Sequence, residues 1–412
     1  MRVIIFLFCL FFAFPSCKKE NPEVQRDNEK EIDQIKYPPA EAMKMLLNGS
    51  NEFGMRLFKE IHKQEDKAEN VFVSPVSVSM ALGMTLNGAS GATANDMRTT
   101  LDFSNISQQN INLTYRALLN DLPAIDPQVT VQIANSIWSN EQFDILQTFI
   151  DTNRYYFNAE VAALDFSDPA SKDEINQWVS DATNGKTKEL LDEVRNDHLM
   201  FLVNAVYFLA DWKYKFDPNN TSPGNFQLLN GSNVQVDMMN SPDIPFEYYS
   251  NGSMELINLP YGNGQYNFTA ILPPSTADLD NFIASLNSGD MLQWISQADT
   301  NHGMHLKMPK FELEYEIKLK NVLSAMGMEI AFSDNADFSK MAENLRLSID
   351  QVAHKTYIKL DEEGTEAAAA TSVGVVVTSL PPTFSLDRPF VYLIHEKETN
   401  ALLFIGKMMN PG

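Results

Sequence analysis

The sequence predicts an α+β fold in a single large domain, on three observations. Segments with the 3.6-residue apolar period of helices and segments with the alternation of strands are mixed along the chain, without the regular strand–helix–strand order of parallel α/β sheets. No internal repeat and no linker divides residues 41–412. The chain is also 44% hydrophobic and 10% aromatic, so this span can bury a large core.

Helices are predicted where the helical apolar period is accompanied by signals for an end. The predicted helices are 41–63, one that begins at 74–75, 149–157, 175–182 and 317–326. Ser74-Pro75 favours a helix start, because serine is a common cap and proline suits the first turn. Asn184-Gly185 and Gly327 favour helix ends, since glycine readily adopts the left-handed backbone that closes a helix.

Strands are predicted from alternation and from short apolar runs bounded by turn residues. The predicted strands are 129–138, 198–208, 256–259, 268–272, 356–360, 390–395 and 402–407. Residues 198–208 are almost continuously apolar, which is typical of a strand covered on both faces. The last two strands flank the polar residues 396–400 and are expected to form a β-hairpin.

Charge and cysteine content exclude several classes of function. The net charge is −23, which opposes nucleic-acid binding and adhesion to an anionic membrane; solubility is the simplest role for this charge. The two cysteines, Cys9 and Cys17, lie in the first 17 residues. The domain therefore contains no cysteine nucleophile, thiolate metal site or disulfide framework.

The N-terminus carries the pattern of an export signal. Arg2 precedes an apolar run from Val3 to Phe14 that is too short to span a bilayer comfortably. The following Pro-Ser-Cys17 is similar to a bacterial lipoprotein signal, which implies a signal peptide of residues 1–16 and a lipid on Cys17. Residues 17–40 are charged and read as a flexible tether. An ordinary secretory signal with an incidental cysteine remains the alternative.

The most informative segment is residues 361–384, which consists mainly of small and β-branched residues. Near its end lie Pro381-Pro382, which cannot enter a central strand. Read with a period of two, one face is uncharged and mostly small, whereas the other face carries Glu366. Such a segment can be exposed in one state and become a central strand in another. On composition alone, a surface loop or an edge strand remains open.

The start of this segment resembles the hinge of inhibitory serpins. The hinge residues are Glu362, Glu363, Gly364, Thr365, Glu366, Ala367, Ala368, Ala369, Ala370 and Thr371. Further likenesses to the family occur at 70–79, 202–208 with Trp212, 308–311, 351–355 and 384–390. The last of these departs from the family pattern at Leu386, where a small residue is usual.

The resemblance implies a metastable serpin fold, with mixed β-sheets surrounded by helices and an exposed reactive loop at about residues 362–384. It also implies the residues that act. The reactive bond is expected at Thr378-Ser379. A polar cluster beneath the opening sheet is expected from Ser74, Ser77, Asn204 and His354, with Trp212 and a Lys310–Glu362 ion pair at the end of the sheet where the loop enters.

Specificity is expected to follow from Val375, Val376, Val377 and Thr378. Uncharged, β-branched residues before the bond suit the small apolar primary pocket of an elastase-like or subtilisin-like serine protease. No Arg or Lys lies between Gly364 and Leu386, which disfavours a trypsin-like target. Cleavage one bond earlier, after Val377, remains open.

The sequence thus predicts a suicide-substrate inhibitor rather than an enzyme, with a serine protease as its covalent partner. We expect an exported monomer, held by the Cys17 lipid on a bacterial outer membrane, at its periplasmic or external face. No cofactor, metal or nucleic acid is expected, because His302 and His305 lie in a polar, loop-like stretch. The alternative is a non-inhibitory serpin that acts as a binding or storage protein.

Overall fold

A computed structural model describes residues 37–412 except 188, 199, 243, 275–278, 302, 344–345 and 366–381. The expectations for the signal segment and Cys17 therefore lie outside the described residues. Helices pack around three β-sheets in the described part of the chain. The helices are α1 (Ala40–Gln64), α2 (Pro75–Leu86), α3 (Gly91–Thr100), α4 (Gln108–Ile125), α5 (Gln147–Phe157), α6 (Ala170–Ala182), α7 (Leu279–Ser285), α8 (Ser288–Ser296) and α9 (Lys320–Leu323).

The main sheet brings together strands from distant parts of the sequence. Its strands are β2 (Val129–Asn140), β3 (Glu160–Leu164), β4 (Met200–Asp211), β12 (Phe311–Lys318), β13 (Gln351–Leu360) and β14 (Gly364–Thr365). Their order across the sheet is β12-β13-β14-β4-β2-β3. The short strand β14 separates β13 from β4 at one end, and β13 and β4 also pair directly with each other.

Two further sheets complete the architecture. The second has the order β1-β17-β16-β9-β8-β7-β10, and the third has the order β15-β11-β6-β5. Their strands are β1 (Val71–Val73), β5 (Ser222–Gln227), β6 (Asn233–Ser241), β7 (Phe246–Ser250), β8 (Glu255–Tyr261), β9 (Tyr266–Leu272), β10 (Asp299–Asn301), β11 (His305–Pro309), β15 (Thr383–Ser385), β16 (Phe390–Glu396) and β17 (Leu402–Met408). The expected α+β fold of mixed sheets and helices is confirmed.

The core lies between the main sheet and the second sheet, where α2 is buried over its whole length. Helix α2 contacts both β4 and β17, so it has no solvent-facing side to be polar. The almost continuous apolar run in β4 follows from this position, because the strand is buried against α2 and the second sheet on one face and against α6 on the other.

Helix α6 and strand β13 begin five residues before their predicted starts, at Ala170 and Gln351. Two other elements begin later than predicted. Ile317 belongs to β12, and the following helix α9 begins at Lys320. The alternation of buried Phe311, Tyr315 and Ile317 with exposed acids continues the strand through Lys318, so the period of two prevails over helix propensity. The run that was predicted to begin at His198 starts as β4 only at Met200. No helix in the described ranges combines the length and the apolarity needed to span a bilayer.

Candidate functional site

The main sheet is closed at one end and divided at the other. Strands β13 and β4 pair in parallel from Gln351 opposite Phe201 to Lys355 opposite Ala205. Farther along, Thr365 of β14 lies between them and pairs with Leu360 on one side and Ala210 on the other. At this end, where residues 366–381 begin, the sheet therefore holds a short segment, residues 361–365, which we call the wedge.

Backbone hydrogen bonds hold this wedge in place. The Trp212 amide donates to the Glu363 carbonyl at 2.7 Å, and the Phe216 amide donates to the Glu362 carbonyl at 3.0 Å. The Trp212 indole N–H donates to the Asp361 carbonyl at 2.8 Å. The turn from Asp361 to Gly364 is closed by an amide-to-carbonyl bond of 3.0 Å. Trp212 thus holds the entering chain at two points, the carbonyls of Asp361 and Glu363.

Gly364 allows the wedge to enter. Its φ is +149°, and a Cβ at this position would lie 2.2 Å from the Ala210 carbonyl oxygen and 2.7 Å from the Trp212 nitrogen. Both of these atoms belong to the backbone and cannot rotate away. Any larger residue at 364 must therefore push the chain out of the sheet.

Thr365 is the first residue whose side chain enters the core. It is 2% exposed, and its hydroxyl lies 2.8 Å from the Tyr261 hydroxyl. The Tyr261 ring stacks on Trp212 with ring centroids 4.5 Å apart, and burial raises the pKa of Tyr261. This site accepts one small side chain with a hydroxyl group, and the partner that it offers Thr365 is a neutral hydroxyl rather than a carboxylate.

Three carboxylates at the start of the wedge each meet a lysine. The ion pairs are Asp361–Lys359 at 3.1 Å, Glu362–Lys310 at 2.9 Å and Glu363–Lys215 at 2.6 Å. Glu362 also accepts a hydrogen bond from the Thr221 hydroxyl at 2.6 Å. Burial tends to raise the pKa of Glu362, but the bonds from Thr221 and Lys310 outweigh it and the pKa is lowered. Glu362 therefore stays ionised and holds the wedge at neutral pH.

A second polar group lies deeper, where β13 and β4 are still paired. His354 is opposite Asn204 in the register, is 1% exposed, and accepts a hydrogen bond from the Ser74 amide at 3.0 Å through Nε2. Burial lowers the pKa of His354 to about 4, so the ring is neutral at pH 7. Asn204 donates to the Asn135 side-chain oxygen at 2.7 Å.

Several polar atoms of this group lack a partner. The hydroxyls of Ser74 and Ser77 and the side-chain oxygen of Asn204 are buried and have no hydrogen bond within the described ranges. Ser74 precedes α2 as predicted, but its side chain makes no cap hydrogen bond. Buried polar atoms without partners are costly, so this group is suited to receive another polar side chain.

The structure thus places the described residues of the predicted site in two groups. The first group is the wedge and its contacts: Glu362, Glu363, Gly364 and Thr365, with Trp212 and Lys310 bound to them. The deeper group consists of Ser74, Ser77, Asn204 and His354. The remaining residues of the predicted site lie outside the described residues: Glu366, Ala367, Ala368, Ala369, Ala370, Thr371, Val375, Val376, Val377, Thr378 and Ser379.

One expectation differs from the structure. The loop was expected to be exposed from about residue 362, yet residues 362–365 are buried and Thr365 already occupies the sheet. The reason is the bonding of Trp212 and Tyr261 to this segment. Tyr261 was not predicted as a site residue, because it follows Pro260 in a stretch that has the composition of a turn. Thr221 and Lys215 were not predicted either, because nothing in the sequence around them indicates a role. His305 lies in β11, and His302 is outside the described residues.

Comparisons with known proteins agree over most of the chain. The family model described as "Serpin (serine protease inhibitor)" matches residues 48–411. Serpin B6 of Pongo abelii is 33% identical over 380 residues, covering 90% of this chain and 100% of the relative. The leukocyte elastase inhibitor of Xenopus laevis is 32% identical with the same coverage.

Solved structures give the same result for the fold. The native state of tengpin, a thermophilic serpin, is 31% identical with a TM-score of 0.82, covering 92% of this chain and 98% of that one. Human thyroxine-binding globulin, solved in complex with thyroxine, is 28% identical with a TM-score of 0.83, covering 90% of this chain and 99% of that one.

Proposed function

Because the chain belongs to the serpin family, we propose that it inhibits serine proteases as a suicide substrate and that residues 366–381 lie in its reactive loop. The observation that carries the proposal is the wedge. Gly364 and Thr365 already lie between β13 and β4, so the chain that follows has a defined track into the sheet.

The register of the wedge predicts where the rest of the loop goes. Strand β14 is antiparallel to both neighbours, with Thr365 level with Leu360 and Ala210. Each further residue therefore advances one position down β13 and one down β4. Six residues on, Thr371 reaches the level of His354 and Asn204, which face each other in the closed sheet. Its hydroxyl would meet the group of polar atoms that lack partners.

The same register decides which side chains become buried. Since the Thr365 side chain enters the core, the residues that follow it into the core at a period of two are Ala367, Ala369, Thr371, Val373, Val375 and Val377. These side chains are uncharged, and the first two are small. Glu366 falls on the opposite face, where its charge can remain in water. The sequence is therefore compatible with insertion along its whole length.

The chemistry proposed is the first half of ordinary proteolysis. The protease serine attacks the Thr378 carbonyl, the bond to Ser379 breaks, the amine of Ser379 takes up the proton and leaves, and an ester joins Thr378 to the protease. Residues 365–378 extend ~45 Å as a strand, so insertion carries the attached protease across the domain. Displacing the catalytic groups by about 1 Å can slow hydrolysis of the ester roughly a hundredfold.

Proteases with small apolar primary pockets are the proposed targets. Thr378 and the three valines before it are uncharged and β-branched, which suits elastase-like and subtilisin-like enzymes. The similarity to a leukocyte elastase inhibitor supports the same class of target protease.

The proposal is tested by denaturing gel electrophoresis after incubation with an elastase-like protease. We expect a band that resists boiling and has the summed mass of the protease and the cleaved inhibitor, because an ester survives denaturation. Inactivating the protease serine beforehand should remove this band. Mass spectrometry of the released C-terminal peptide then identifies the cleaved bond.

A non-inhibitory member of the family is the second candidate, and the likeness to thyroxine-binding globulin supports it. The same gel separates the two candidates. Cleavage of the loop without a covalent band would contradict inhibition and favour a binding or storage protein.

We also propose that a lipid on Cys17 anchors the protein to a membrane surface. Support comes from the sequence of the first 19 residues, in which an apolar run ends at Ser16-Cys17 and is followed by Lys18-Lys19. We expect mass spectrometry of the mature N-terminal peptide to find an acylated Cys17. A free thiol at Cys17, or a chain that starts elsewhere, would contradict the anchor.

A further inference from the structure

A cavity of about 630 Å³ lies away from the wedge, between the C-terminal half of α1, the helix α7 and the turn after α9. Its lining includes four cations of α1 and the turn that follows it: Arg56, Lys59, Lys63 and Lys67. Arg56, Lys59 and Lys63 are three or four residues apart and lie along one side of α1, and Lys67 follows just beyond the end of the helix. The chain has 31 basic and 54 acidic residues, so four cations in the lining of one cavity are an unusual concentration of positive charge.

Most of these cations are held by neutral acceptors. Arg56 donates to the Thr100 carbonyl at 2.7 Å, Lys59 to the Ala284 carbonyl at 2.9 Å and Lys67 to the His62 carbonyl at 2.9 Å. A carbonyl oxygen fixes the direction of an ammonium or guanidinium group but does not neutralise its charge. These groups therefore keep hydrogen atoms and charge available for an anion.

The carboxylates in the lining do not balance the cations. Glu60 lies 3.3 Å from Lys63, and Asp280 lies 3.0 Å from His62 Nε2 and 3.9 Å from Lys67. Beneath the lining, Lys407 is fully buried and donates to the carbonyls of Asp66 and Lys67. Glu52 acts on Lys59 through its charge, and Asp66 and Glu65 act on Lys407 in the same way.

The local field is positive at the floor of the cavity. Burial and the charges of Lys407 and Lys67 lower the pKa of His62 to about 4, although Asp280 opposes this shift. His62 is 4% exposed, and its Nδ1 has no hydrogen-bond partner in the part of the chain that the structure describes. Burial, and then the charge of Lys67, lower the pKa of Lys407 to about 8.

We propose that this cavity binds a small polyvalent oxyanion that carries phosphate or sulfate groups. Several lysines and one arginine converge on one space, which fits a ligand with more than one negative charge. The opposite wall is uncharged at Ile283, Ala284 and Met326. A compact ligand is favoured over an extended polyanion, because the net charge of −23 repels a long acidic chain outside the cavity.

Titration calorimetry with inorganic tripolyphosphate at low salt tests this site. We expect saturable binding at one site per chain. The double variant Lys59→Gln, Lys63→Gln should bind roughly tenfold to a hundredfold more weakly, because the two lost charge-assisted contacts together contribute about that factor. The control Lys44→Gln, Lys340→Gln removes the same charge from exposed positions outside the lining and should bind within about threefold of the native chain.

A second measurement uses the native chain, so that it does not depend on how the variants fold. Tripolyphosphate should protect Lys59, Lys63 and Lys67 from acetylation and leave Lys44 reactive, as read by mass spectrometry. Inorganic sulfate and phosphate in parallel tell which group is preferred. Three results would overturn the proposal: binding that does not saturate, an equal loss in the control variant, or binding of a sulfated polysaccharide without binding of tripolyphosphate.

Discussion

The variant Thr365→Arg is expected to be cleaved by the target protease but no longer to inhibit it. Thr365 is 2% exposed, its hydroxyl contacts the neutral Tyr261 hydroxyl, and Tyr261 stacks on Trp212, so neither of these groups can pair with a guanidinium charge. An unpaired buried charge costs about 3–5 kcal/mol. If this cost falls on the barrier to insertion, insertion slows roughly 10²- to 10⁴-fold, and hydrolysis of the ester is completed first.

The measurement is the number of inhibitor molecules consumed per protease molecule inactivated, together with the covalent band on a denaturing gel. Thr365→Ser is the matched control, since it keeps the hydroxyl near Tyr261 and adds no volume. We expect the control to inhibit like the native chain. The intact arginine variant should keep a cooperative melting transition, because the hinge can leave the sheet without disturbing β13 or β4.

Melting temperatures of the cleaved chains give an independent readout of insertion. The native chain should melt at a higher temperature after cleavage, because a full strand then completes the main sheet. The cleaved arginine variant should melt close to its intact form. If the arginine variant still forms the covalent band, or gains stability on cleavage, then Thr365 does not limit insertion.

Much of the fold could be predicted because periodicity reports burial. The strand at 129–138, the helix at 41–63 and the C-terminal hairpin each lie where the apolar pattern places them, since each presents one consistent face to the core. The helix predicted at 317–326 failed for the same physical reason. Its first residues continue the alternation of β12, and local propensity yields to the neighbouring strand.

Less of the site than of the fold could be predicted from the sequence. Gly364 and Thr365 stand out in the printed sequence, but their insertion into the sheet depends on Trp212 and Tyr261, which are about 150 and 100 residues away in the chain. The partners of the acidic residues behave likewise, because Lys215 and Thr221 are ordinary residues until the fold brings them to Glu363 and Glu362. Long-range contacts of this kind leave no local pattern.

In the proposed mechanism, specificity is separate from insertion, because the residue at the reactive bond would contact the protease while the hinge would enter the sheet. The variant Thr378→Arg is therefore expected to inhibit trypsin-like proteases and to lose activity toward elastase-like ones. A primary pocket with a buried carboxylate discriminates strongly in favour of a cationic side chain, since the carboxylate is otherwise left without a partner. We expect the second-order rate of inhibition to change by roughly 10³-fold or more in each direction.

Val377→Arg is the matched variant that locates the bond. It places the same cation one residue earlier, on the face that the register sends toward the core, so cleavage of the loop by a trypsin-like protease is read by mass spectrometry alongside inhibition. If cleavage follows Thr378, then Thr378→Arg alone gains trypsin-like inhibition; if cleavage follows Val377, the gain belongs to Val377→Arg instead. A gain in neither variant, with covalent complexes still formed by the native chain, would place the reactive bond elsewhere in the loop and leave the insertion mechanism intact. Rates measured with both protease classes on both variants thus separate an error in register from an error in mechanism.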